Sequence, residues 1–272
     1  MSNKAKNKKS MLNVLLFVFA AVFVVSGALL VKNIVQGNKE QAVFEELATP
    51  VDNLDMSLTQ QEKNEILFEQ YSRLKEKNPH FVGWVKLENT KLDYPVMHTP
   101  EDVEYYLRRS FDGSYAVSGT PFIGYDCTAD SRLSIIYGHH MKNGTMFATL
   151  HNYQDKAYWE NHKELRFDTV DSLRTYEIVS AFYTEVDPTG ENGEFDYYNY
   201  NGDVSDEDFA TYAQNIKAMS MYDTGVEIGN DDRLVTLSTC SYHHENGRFV
   251  LVARLKDVVT KESLQKNRLM TV

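Results

Sequence analysis

Three side chains suited to acyl transfer stand at the ends of apolar runs. Leu234-Val235-Thr236-Leu237-Ser238-Thr239-Cys240 is β-branched and apolar, long enough for a buried strand, and it delivers a thiol at its C-terminal end. Residues 241–247 are polar and end in Gly, which reads as a loop, and Arg248 then opens a second apolar run, Phe249-Val250-Leu251-Val252-Ala253. A thiol and a guanidinium at the facing ends of neighbouring strands can converge on one substrate carbonyl. The pair lacks an acid or base. His139 is the candidate, at the close of another strand-like run, Leu133-Ser134-Ile135-Ile136-Tyr137-Gly138-His139.

The chemistry needs all three types. A thiol attacks an amide as thiolate, and an imidazole can take its proton and later give it to the leaving amine. Arg248 stays charged and is no base, but it can hold carbonyl oxygens or an oxyanion beside a backbone N–H. Such a set forms a thioester that an amine or water then resolves.

The ordered motifs resemble a known family. TLSTC with an Arg eight positions on, together with the upstream IIYGHHM segment, is similar to the sortases, most of all to class B. The resemblance runs from about Asn78 to Leu255. It takes in Val82-Gly83-Trp84, Asp93-Tyr94-Pro95-Val96, Tyr105-Tyr106-Leu107 and Gly144-Thr145-Met146-Phe147. It implies that Cys240 is the nucleophile, His139 the general acid/base and Arg248 the contact to the scissile region. His140 is then a neighbour that packs or lines the cleft. Ser238 and Thr239 are substrate-binding candidates, Ser238 as part of an acceptor groove. No cofactor is implied.

The elements that must position these groups follow from local pattern. Thr59-Gln60-Gln61-Glu62 is a capping-box signature, and it predicts a helix to about Lys77, stopped by Asn78-Pro79, with Leu67, Tyr71 and Leu74 on one face. Strands are expected over 82–87, 91–97, 120–124, 133–137, 164–167 and 174–186, with a short helix within 101–109. Residues 149–159 and the following 160–163 read as a loop and helical piece. Residues 188–202, rich in Gly, Asn, Asp and Tyr, suit an exposed loop. Ser205 then caps a helix whose Phe209, Tyr212, Ala213, Ile216 and Met219 follow the helical period. A helix in this connection is a feature of class B sortases. The expected fold is mainly β with helical additions, a closed sortase-type barrel behind an N-terminal helix and a membrane anchor.

The 272 residues allow one good-sized domain plus appendages, and 42% hydrophobic with 25% charged residues is a globular composition. Net charge is −11, with Lys4, Lys6, Lys8 and Lys9 crowding the start, so the body is acidic and no nucleic-acid partner is expected. Met11 to Val31 carries no charge and is long enough to span a bilayer. A cleaved signal peptide is the rival reading, because Ser26-Gly27-Ala28 are small, but the apolar run continues past them. The expected layout is a cytoplasmic basic tail (1–10), an anchor (11–31), an extracellular stalk without clear period (32–56) and an extracellular catalytic domain (57–272). Lysines before the anchor place the N-terminus inside.

Cys127, beside Asp126, is expected to be a free, non-catalytic thiol, since a bond to Cys240 would abolish the activity. His139-His140 and His243-His244 raise a zinc site, but adjacent strand side chains face opposite ways and no HExxH or CxxC is present. The resemblance implies a membrane-anchored cysteine transpeptidase. Its partners would be the sorting-signal peptide of a secreted protein and a cell-wall peptidoglycan precursor amine, a lipid-linked unit. A pilin lysine is the alternative acceptor. Two further readings are an anchored binding domain that kept the fold without the reaction, and a cysteine hydrolase.

Overall fold

Eight strands close into a barrel in the order β1-β2-β3-β4-β7-β8-β6-β5. They are β1 (Phe81–Lys86), β2 (Asp93–Met97), β3 (Phe122–Ile123), β4 (Leu133–Tyr137), β5 (Glu164–Thr169), β6 (Ser172–Glu185), β7 (Leu234–Cys240) and β8 (Gly247–Thr260). The computed structural model describes residues 2–52, 57–186, 195–241 and 246–270. The chain divides into two units, Met1–Val43 and Phe44–Val272.

The first unit belongs to the helix α1 (Ser2–Asp52). Apolar side chains such as Phe17, Phe19, Phe23 and Leu30 are exposed on it. Asn13–Ala48 is long and apolar enough to cross a membrane. The expected stalk is helical as far as Asp52, and the second unit begins inside it. Phe44 is buried with its ring edge-on to Tyr94, 5.3 Å between centroids, and Ala48 is buried as well. Phe44, Leu47 and Ala48 form an i, i+3, i+4 stripe too short to stand out among charged neighbours.

In the second unit the capping box at Thr59 is formed in both directions, and α2 (Gln60–Lys77) follows it. Leu67, Tyr71 and Leu74 are buried as the period predicts, with Tyr71 stacked on Trp84 of β1. The Tyr71 hydroxyl donates to Asp168 (2.8 Å), a buried carboxylate that also accepts from Arg166 and from the Arg174 backbone N–H. This network joins α2 to the barrel wall.

All neighbouring strands are antiparallel except β2–β3 and β4–β7. The parallel β4–β7 pair matters most for the site. A parallel neighbour requires a long crossover, and the chain between β4 and β7 supplies a 3₁₀ segment (Phe147–Gln154), α3 (Lys156–Asn161), β5, β6 and α4 (Asp206–Met219). Ser205 caps α4 through the Asp208 N–H, and Phe209, Tyr212 and Ile216 are buried.

Several elements differ from the sequence reading. The helical piece is α3, which starts at Lys156 because Asp155 caps it by accepting from the Ala157 N–H, and it ends at Asn161, short of residues 162 and 163. β8 runs well beyond Ala253, since its long ladder with β6 continues where the side chains turn polar. A final helix, α5 (Lys261–Met270), is too polar for its pattern to announce it. Of the expected exposed loop 188–202, residues 188–194 lie outside the described residues, and the rest buries Tyr197 in a 3₁₀ turn (Tyr197–Asn199). Cys127 is a buried free thiol that accepts from the Ile135 N–H, and burial pushes its pKa up.

Candidate active site

Strand pairing places the thiol and the guanidinium together. In the antiparallel β7–β8 ladder Cys240 lies directly opposite Arg248. The Ser241 N–H donates to the Gly247 carbonyl (2.8 Å), so that pair is the hydrogen-bonded one and Cys240/Arg248 is of the other kind. In such pairs the Cα atoms approach to about 4.5 Å and the side chains leave from the same face.

Alternation along β7 explains why the thiol is reachable. Thr236, Ser238 and Cys240 share one face of the strand. Tyr212 of α4 covers the first, its hydroxyl 2.6 Å from Thr236 Oγ1, and Tyr197 covers the second, 2.7 Å from Ser238 Oγ. Cys240 comes next along that face and is half-buried. It opens into a cavity of about 450 Å³ that His139, Arg248, Ser238, Thr239 and Tyr197 also line. Burial pushes the Tyr197 phenol up to about 12, so it remains a neutral donor or acceptor there. Thr239 leaves β7 on the opposite face from Cys240, and its hydroxyl is buried with no hydrogen-bond partner among the described residues.

His139 reaches the cavity because β4 ends beside β7. The last bond of that parallel seam runs from the Gly138 N–H to the Ser238 carbonyl (3.1 Å). Residue 138 must be glycine for a packing reason. A Cβ there would meet the Phe147 ring at 2.7 Å, and Phe147 is fully buried. The Phe147 N–H in turn donates to the His139 carbonyl (2.9 Å).

The tautomer of His139 follows from one contact. Its Nε2 lies 2.8 Å from the Leu107 carbonyl oxygen. A carbonyl only accepts, so Nε2 carries the hydrogen and the neutral ring keeps its lone pair on Nδ1. Leu107 is presented by a 3₁₀ turn (Tyr105–Arg108). Burial lowers the pKa of His139, opposed by the Leu107 carbonyl and reinforced by Arg108. The resting ring is therefore neutral and able to receive a proton. Arg248 Nη1 donates to the Asn246 and Gly247 carbonyls (3.2 and 3.0 Å), which fixes one side of the guanidinium at the end of its own strand.

The sequence placed these groups at strand ends, and the structure brings Cys240, His139 and Arg248 into one cavity together with Ser238 and Thr239. His151, on the 3₁₀ segment, went unnoticed. Its Nε2 lies 3.1 Å from the Cys240 carbonyl oxygen, and His140 Nδ1 lies 3.2 Å from the same atom. No spacing in the sequence announces that contact. His243 and His244 lie outside the described residues.

The sortase domain family matches residues 85–256. Sortase B of Listeria monocytogenes is 32% identical over 186 residues, covering 67% of this chain and 72% of that protein. The solved Staphylococcus aureus sortase B–substrate complex is 26% identical, with a TM-score of 0.63, covering 82% of this chain and 94% of that one. A crystal structure of sortase B complexed with triglycine is 27% identical with a TM-score of 0.68, covering 83% of this chain and 100% of that one. A closed eight-stranded barrel with a thiol, an imidazole and a guanidinium in one cavity agrees with these likenesses, and the chain belongs to the sortase family of cysteine transpeptidases, on its class B side.

Proposed function

We propose that the protein cleaves a sorting signal in secreted proteins and joins them to a cell-wall peptidoglycan precursor amine, with Cys240 as nucleophile, His139 as proton carrier and Arg248 as the group that holds the substrate. The observation that carries this reading is the register of Cys240 opposite Arg248 in the cavity that His139 also lines. Sγ attacks the scissile carbonyl, the thiol proton passes to the free lone pair of His139, and the Arg248 guanidinium faces the developing oxyanion. Collapse breaks the C–N bond, and the leaving amine takes the proton from the imidazolium. An incoming amine then attacks the thioester, forming a new C–N bond and breaking C–S, and its proton returns through His139 to the thiolate.

Ser238 and Tyr197 line the same cavity and would border the bound peptide or the acceptor. The neighbours solved with a substrate and with triglycine support a peptide donor and an amine acceptor for this chain. The apolar α1 supports a single-pass anchor, with the four lysines near the start on the cytoplasmic side and the barrel outside. In this layout residues 11–31 cross the bilayer and the catalytic body stands at the cell surface.

Product analysis tests the reading. The full-length protein in detergent is incubated with sorting-type peptides, with and without an amine acceptor, beside Cys240→Ala. An amine-linked product that needs Cys240 supports transpeptidation. Hydrolysis alone in the presence of excess amine contradicts it, and a lysine side chain preferred over a peptidoglycan-type amine identifies a pilin polymerase instead.

A further inference from the structure

Beyond its last bond to β4, the edge of β7 carries one more carbonyl, and two histidines take it. Along β7 the carbonyls of even-numbered residues point away from β8, as the bond from Gly138 N–H to the Ser238 carbonyl shows. β4 ends at Tyr137, and among the described residues no strand continues the ladder to Cys240. His140 Nδ1 and His151 Nε2 stand there instead, 3.2 and 3.1 Å from the Cys240 oxygen. A carbonyl has two acceptor lone pairs and no hydrogen, so both ring nitrogens are donors.

The rings pack against one another at a tilt of 35°. His140 and His151 lie 4.2 Å apart between centroids, and Phe249, which is fully buried opposite Thr239, backs His151 at 4.9 Å. The Tyr183 hydroxyl lies 3.4 Å from His151 Nδ1. Both histidines belong to the segment that carries His139. His140 bridges to Met146, and the Phe147 N–H ties the 3₁₀ segment to the His139 carbonyl.

We infer that His140 and His151 are positioning residues for the nucleophile: their donors fix the peptide plane after Cys240 and so set the thiol against His139 and Arg248. The inference rests on Cys240 being the nucleophile. The ladder holds that plane on one side only, through the Ser241 N–H on the Gly247 carbonyl (2.8 Å), and the two histidine donors hold its opposite side at the carbonyl. The same segment presents the proton carrier, so thiol and imidazole are placed by one structure. A misplacement of about 1 Å can cost about 100-fold in rate, which makes such a clamp worth having.

The test separates donor position from ring packing. Asn at residue 140 and Gln at residue 151 place an amide N–H where Nδ1 and Nε2 stood. The exchanged pair, His140→Gln and His151→Asn, keeps an amide but puts the donor at the wrong length. All four variants are made in the full-length chain. Iodoacetamide alkylation of Cys240, resolved by peptide mass from buried Cys127, reads the thiol without any peptide substrate, and kcat and KM are measured with a turned-over peptide. The matched variants, His140→Asn and His151→Gln, should stay within about threefold of wild type. The exchanged variants should lose about tenfold or more in alkylation rate and kcat with KM little changed. Equal behaviour of matched and exchanged amides would overturn the inference and leave the rings as packing. Alkylation needs no sorting peptide, so failure of every peptide would count against the transpeptidase reading while leaving this result standing.

Discussion

Cys240 and Arg248 face each other as a non-hydrogen-bonded pair of an antiparallel ladder, the register in which opposed side chains come closest. The distance between thiol and guanidinium is thus set by β-sheet geometry rather than by a loop. Arg248→Lys keeps the charge and loses the planar fork, with its oriented donors. Loss of a donor to the oxyanion typically costs about 100-fold to 1000-fold, and the lysine variant should fall by at least about tenfold in kcat/KM toward a turned-over peptide. A variant with wild-type kcat/KM would show that the guanidinium does not touch the reacting centre.

The Leu107 carbonyl holds His139 and is itself held in place from behind. Gly119 has φ +60, and a Cβ on it would run into the Leu107 and Tyr106 carbonyl oxygens. Gly119→Ala should therefore displace the acceptor of His139 Nε2 and lower kcat by about tenfold while the barrel remains folded. Kinetics beside circular dichroism decide it. An unchanged kcat in a folded variant contradicts the role given to that carbonyl.

Gly138 is a packing requirement at the end of β4. Gly138→Ala pushes on the Phe147 ring, which is fully buried. Overpacking of this sort costs about 1–3 kcal/mol, and thermal unfolding should show it as a fall in Tm. A variant with wild-type Tm would mean that the ring moves freely.

The depressed pKa of His139 makes stability depend on pH. Hydrated in the unfolded chain, the ring takes up its proton near the ordinary histidine value of about 6.5, whereas the folded protein takes it up only at lower pH. Between those values the unfolded state holds more protons, so stability falls as pH drops through the window and levels off below the folded value. His98, also depressed by burial and by Lys75, adds the same slope in wild type and variant and cancels from their difference. His139→Gln should show a smaller loss of Tm than wild type between about pH 7.5 and about pH 5.5. An equal loss would mean that the ring is hydrated in the folded protein.

Much of this architecture is legible in the sequence, where local pattern and packing agree. Thr59 and Ser205 cap the helices their spacing predicts, and Leu133–Tyr137 and Leu234–Cys240 are strands with the expected ends. Legibility fails where structure is made by partners distant in sequence. β8 continues beyond Ala253 because β6 pairs with it, not because its residues are apolar. Phe44 reads as part of a stalk until Tyr94 is seen against it. Tyr197 looks like an exposed loop residue until Ser238 accounts for its burial. His151 joins Cys240 across 89 residues, and no local motif encodes such a contact.

The most direct test of the account is the intact mass of the full-length protein after brief mixing with a sorting-type peptide and no added amine. The account predicts an acyl adduct of the N-terminal peptide fragment on Cys240, absent in Cys240→Ala and discharged into an amine-linked product when an acceptor is added. Cleavage of the peptide by Cys240→Ala at the wild-type rate, or an acyl group carried on any residue other than Cys240, would contradict it.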